Sequence, residues 1–141
     1  SSDLLLADTL KMANFITLTY RQPFTWGELD CNTFVARAID AIRGTDRADR
    51  EIVGQYNDQK SAIRFYKNYT SAEQYIQDMG WKQIDHCDLA ELDILLCDQA
   101  VYKAAHIVFA GKIWSCHKEH GIVAVEGLEN MTSPYTQWRR T

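Results

Sequence analysis

The stretch PFTWGELDCNTFVARAI, Pro23 to Ile39, places a thiol where a thiol can react. Cys31 follows Asp30, a good helix N-cap, and precedes an apolar stripe of Phe34, Val35, Ala38, Ile39 and Ile42 that ends at Gly44. A cysteine at a helix start sits in a field that favours the thiolate, so its pKa is expected below the free value of about 8.5. A thiol nucleophile needs a base within hydrogen-bond reach and a third group to orient that base. Backbone N–H groups at the start of the same helix offer part of an oxyanion hole.

The base is sought in AHIVFAGKIWSCH, Ala105 to His117. Gly111-Lys112 reads as a two-residue type II′ hairpin turn. That register pairs Ala110 with Ile113, Val108 with Ser115, and His106 with His117. Directly opposed residues share a face of the sheet, so the two imidazoles lie side by side. Cys31, His106 and His117 would then serve as nucleophile, base and orienting residue. A one-residue change in the turn would swing His117 away and bring Ser115 or Cys116 nearer His106. The other face carries Ile107, Phe109, Trp114 and Cys116, which fit a buried surface.

Blander readings exist for each residue. Cys31 alone would be a small buried hydrophobe, Asp30 only a cap, and Phe24 and Trp26 plain core aromatics. CHKEH offers Cys116, His117 and His120, with His86, Cys87 or Cys97 as further zinc ligands, but the spacings match no standard zinc pattern. No metal or other cofactor is expected. Four cysteines without a C-x-x-C pair, in a chain able to form its own core, read as free thiols.

The elements that must position these groups follow from periodicity. Helices are expected from the Ser2-Asp3 cap to about Tyr20, over the Cys31 segment, over 60–68, and in TSAEQYIQDMG, where Thr70 with Glu73 and Ser71 with Gln74 form overlapping capping boxes. In the first helix Leu5, Met12, Ile16 and Tyr20 form one stripe. Residues 45–57 read as a loop or a short irregular helix. WKQI, DILLC, AHIVFA, KIWSCH and GIVAV read as short strands. Helices first and antiparallel strands second give an α+β fold, one domain over 1–141, with the N-terminal helices packed on a small sheet. With 46% apolar residues and a net charge of -4 scattered along the chain, a core is affordable and no basic stripe for nucleic acid is present. No apolar run approaches the roughly 20 residues of a membrane span, and SSDLLLADTL does not read as a signal peptide.

PFTWGELDCNTF resembles the active-site entry of the NlpC-type papain-like cysteine peptidases, in which an aromatic-x-Trp-Gly turn leads to Asp-Cys at the start of a long helix. AHIVFAGKIWSCH resembles that superfamily's histidine strand and the strand after it, and AELDILLC its preceding strand. The run from PF-x-WG-x-x-DC-x-x-F through G-T-D to G-Q-Y is most similar to a phage-associated branch found near tail genes. The resemblance implies a papain-like NlpC-type fold, with Cys31 as nucleophile, His106 as base and His117 as orienting residue. Phe24, Trp26, Gly27 and Asp30 would shape the substrate-binding floor. It implies hydrolysis of amide bonds in peptidoglycan stem peptides or another peptide, phage tail proteins as partners, and a place in the virion or host cytoplasm. The alternative it carries is an inactive structural or adaptor module of a tail. Glu28 stands where many members have a second Gly, and Leu92 precedes Asp93 where Gly-Asp is common.

Overall fold

The computed structural model describes residues 2–99, 103–128 and 134–141. Five helices come first: α1 (Ser2–Thr19), α2 (Cys31–Arg43), α3 (Arg47–Glu51), α4 (Gln59–Asn68) and α5 (Ala72–Asp78). Six strands follow: β1 (Trp81–Ile84), β2 (Ile94–Asp98), β3 (Lys103–Phe109), β4 (Lys112–His117), β5 (Gly121–Val125) and β6 (Tyr135–Arg140). They form one antiparallel sheet in the order β1-β6-β2-β3-β4-β5. The chain is therefore α+β, as its pattern predicts. None of the described helices is long and apolar enough to cross a membrane.

The α2 stripe packs against one face of the sheet. Phe34, Val35, Ala38, Ile39 and Ile42 join Ile94, Leu96, Ala105, Ile107, Cys116 and Trp138 in the main core. Each fully buried side chain of this size stabilises the fold by about 1.5–3 kcal/mol before entropy is counted. A smaller cluster of Leu95, Val108 and Ile113 covers the middle of the opposite face. Helix α1 contributes Met12 and Phe15 to the main core, while Tyr20, expected on its buried stripe, is exposed.

Two expectations need correction. The first is strand β6, which periodicity did not reveal. Its Gln and two Arg resemble a surface tail, yet it sits between β1 and β2. Asp93, fully buried, accepts from Arg139 Nε at 2.9 Å and Nη2 at 2.8 Å and from Gln137 Nε2 at 3.0 Å. Those bonds satisfy the polar groups that β6 carries inside.

The second is the β3–β4 turn. Its central residues are Ala110 and Gly111, at φ +53° and +73°, and Phe109 pairs with Lys112. Positive φ at both positions is a type I′ turn, whose twist matches the flanking strands. Glu91 holds it from outside: its carboxylate accepts from Ala110 N at 3.0 Å and Gly111 N at 2.9 Å. The partner of Val108 is thus Ile113, not Ser115. Extending this register opposes His106 to Ser115 and makes His117 its diagonal neighbour. Because the shift is two residues, His106 and His117 keep the same face.

Ala110 occupies a conformation that costs an L-residue roughly 1–2 kcal/mol and that Asn tolerates better. Ala110→Asn, giving the preferred Asn-Gly pair, should raise stability by about 0.5–1 kcal/mol in urea unfolding; an unchanged or lower midpoint would contradict the turn assignment.

Candidate active site

Asp30 organises the helix start that carries Cys31. Its Oδ1 accepts from Asn32 N at 3.0 Å and Thr33 N at 2.9 Å, and Thr33 Oγ1 in return accepts from Asp30 N at 2.7 Å. Its Oδ2 accepts from Gly27 N at 3.0 Å and Tyr56 Oη at 2.7 Å. The buried carboxylate therefore joins the Trp-Gly turn, the helix start and the G-Q-Y segment. Gly27 has φ +79°, and a Cβ there would overlap the Tyr56 carbonyl oxygen, so no other residue fits without moving the backbone.

Asn32 docks this assembly on the sheet. Its amide donates to Lys103 O at 3.0 Å, and its Oδ1 accepts from Ala105 N at 3.0 Å. The recorded β3–β4 pairing ends at Ile107↔Trp114, so the Asn32 amide serves the backbone of β3 beyond that point as a strand would. Composition gave no signal for this role; the residue after the cysteine was its only marker.

Where that pairing ends, a cavity of about 280 Å³ opens beside the start of α2 and the parted ends of β3 and β4. Cys31, Phe24, Trp26 and Cys116 border it together with His106, Ser115 and His117. Phe24 and Trp26 meet edge to face at 5.0 Å. Gly27 and Asp30 do not line this cavity; they stand behind Cys31 and hold it. Cys31 is half-buried, His106 half-buried and His117 exposed.

The geometry changes three expectations about the thiol. Cys31 is in the first turn of α2, but burial, then the Asp30 charge and Cys116, push its pKa up to about 12, not below the free value. Among the described residues no hydrogen bond joins its sulfur to an imidazole. The Asn32 and Thr33 N–H groups bond to Asp30, and the Asn32 and Cys31 N–H groups also bond to the Cys31 sulfur, lowering its pKa by less than burial raises it.

His106 lies opposite Leu95 on the strand face turned away from α2, and it reaches the cavity at the opening beside β4. Burial, followed by the neighbouring His117, lowers its pKa, so the imidazole is neutral at pH 7. Its Nδ1 lies 3.6 Å from Cys97 Sγ on β2. Cys97 was read only as a metal candidate; its contact with His106 follows from the β2–β3 register, which pairs Leu95 with His106 and Cys97 with Ala104.

All four cysteines are free. Cys116 is buried with its sulfur 3.4 Å from Leu29 O, whereas His117 and His120 are exposed. Among the described residues no group of three or more His, Cys, Asp and Glu side chains is placed to hold a metal.

Two outcomes follow. Asp30→Ala removes a cap and orphans buried donors, so it should cost at least about 3 kcal/mol in denaturant unfolding, with Asp30→Asn costing less. A loss below about 1 kcal/mol would show that the carboxylate does not organise this region. A thiol whose pKa is about 12 ionises further with each unit of rising pH below that value. Alkylation of Cys31 by iodoacetamide should therefore climb steadily from pH 6 to 10. A plateau below pH 8.5 would mean a preformed thiolate.

Neither a curated protein nor a solved structure matches the chain. A family model described as "Domain of unknown function (DUF6950)" matches residues 6–136, and the chain belongs to that family.

Proposed function

We propose that this protein is a thiol-dependent amidase or peptidase in which Cys31 attacks a peptide carbonyl and His106 is the base. The observation that carries this reading is the single cavity bordered by Cys31, His106 and His117. A neutral imidazole and a neutral thiol bordering one cavity suit base-assisted attack rather than a resting ion pair. Sγ bonds to the carbonyl carbon as its proton passes to His106, and the Cys31 N–H faces the developing oxyanion. His106 then protonates the leaving amine, and water cleaves the thioester, restoring the thiol.

The papain-like NlpC-type resemblance supports the same reading at two further positions. Leu92, where relatives commonly have Gly, has φ +70°, a conformation natural to glycine. The G-Q-Y tyrosine, Tyr56, bonds to the Asp of Asp-Cys. Peptidoglycan stem peptides are the first substrates the resemblance puts forward, with phage origin, tail-protein partners and a virion or host-cytoplasm location as its setting.

A second reading has its own observation. His106 Nδ1 contacts Cys97, and no imidazole hydrogen-bonds Cys31, an arrangement that also suits an inactive tail module. Hydrolysis of peptide amides by wild type, Cys31→Ala, His106→Ala, Cys97→Ala and His117→Ala separates the two. For the enzyme, Cys31→Ala abolishes turnover and His106→Ala lowers it at least about 100-fold. Cys97→Ala should lower it more than His117→Ala, because Cys97 holds the ring directly. Turnover that survives in Cys31→Ala would remove Cys31 as the nucleophile, and its absence from wild type on every peptide would favour the module.

A further inference from the structure

A second cavity, of about 370 Å³, lies on the other side of the Cys31 helix start, between α2, α4, α5 and the ends of β2 and β3. Its body is apolar: Val35, Ile39, Ile63, Ala72 and Leu96 contribute to the wall. It adjoins the candidate active site. Asn32, Ile63 and Tyr66 border this cavity and also a narrow cleft that Cys31 lines. The cavity and the cleft beside the sulfur thus share a wall.

The size falls in the roughly 300–1,000 Å³ range of small-molecule sites, and such sites are apolar with a few placed polar groups. Lys67, Glu73 and Lys103 stand among its lining residues. Lys103 is held by Asp98 at 2.7 Å, while Lys67 and Glu73 make no ion pair among the described residues. Charges of both signs suit the amides and termini of a peptide. A polyanion or a phosphate headgroup would call for positive charge alone. Tyr75 also contributes to the wall, and among the described residues its buried hydroxyl has no hydrogen-bond partner.

We propose that this cavity is a specificity subsite that takes a bulky apolar side chain, aromatic or branched aliphatic, of the peptide whose carbonyl Cys31 attacks. The proposal rests on the amidase reading for the reaction but not for the binding. It also moves the substrate away from the small and acidic residues of a peptidoglycan stem peptide, for which an apolar cavity of this size offers no matching contacts.

Binding is measured on the full chain with Cys31→Ala, which prevents turnover. The probes are N-acetyl-phenylalanyl-alaninamide, N-acetyl-alanyl-alaninamide and N-acetyl-glutamyl-alaninamide, titrated into ¹⁵N-labelled protein. The phenylalanyl probe should shift the amides of Val35, Ala72 and Leu96 and bind at least tenfold tighter than the other two. Filling the cavity with Ala72→Phe, or with Thr70→Phe at the loop before α5, should weaken it at least tenfold. Equal binding of the alanyl probe, shifts confined to other surfaces, or undiminished binding in a filled variant with a folded spectrum would overturn the subsite. Wild-type activity is followed separately on the same probes. If none is hydrolysed while the phenylalanyl probe binds as described, the amidase reading falls and the subsite stands. Cys31-dependent hydrolysis without binding in this cavity removes the subsite alone.

Discussion

One buried carboxylate holds the region together. Asp30 accepts four hydrogen bonds from three separate stretches of chain: the Trp-Gly turn, the first turn of α2 and Tyr56. A buried anion is tolerated only when its acceptor sites are filled, and here the backbone and a phenol fill them. Tyr56 then bonds to Tyr66 at 2.8 Å and packs with Phe65, which carries the order into α4. Tyr66 is also a wall of the apolar cavity, so the same network that places the sulfur shapes the space beside it.

What was readable in the chain was what local chemistry determines. Helix α2 runs from its Asp cap to Gly44, and WKQI, KIWSCH and GIVAV are strands over the residues expected. Features decided by distant partners were hidden. The β3–β4 turn forms at Ala110-Gly111 because Glu91, about twenty residues away in sequence, binds both turn N–H groups. Local pattern reads Gly111-Lys112 as a type II′ turn with Gly first, and nothing near Gly111 reveals the glutamate. Strand β6 is similar: Gln137 and Arg139 look like surface residues until Asp93 is opposite them.

The site was legible to a corresponding degree. Cys31, His106 and His117 do border one cavity, since a two-residue slip in register preserves which face a strand residue occupies. Their pairwise relations were not legible. Ser115, not His117, falls opposite His106 in the extended register, and the group in contact with the His106 ring is Cys97, from a strand on its other side. Asn32 was overlooked because an amide adjoining a cysteine reads as surface, whereas here it completes the hydrogen bonding of β3.

Asp30 also sets a conflict at the centre of the site. Burial first, and then the charge of Asp30, oppose a thiolate at the helix start more than the Asn32 and Cys31 N–H groups favour it. The helix field invoked from sequence is thus outweighed by burial and by the neighbouring carboxylate. Precise placement of the sulfur and spontaneous ionisation cannot both be had from this motif. The thiol is therefore protonated at neutral pH, and in the proposed amidase loss of its proton is coupled to a base. The lowered pKa of His106 meets that need, because an imidazole already protonated at pH 7 has no site for the thiol's proton. Placement by Asp30 and neutrality of His106 are therefore the two features on which the proposed reaction of the thiol depends.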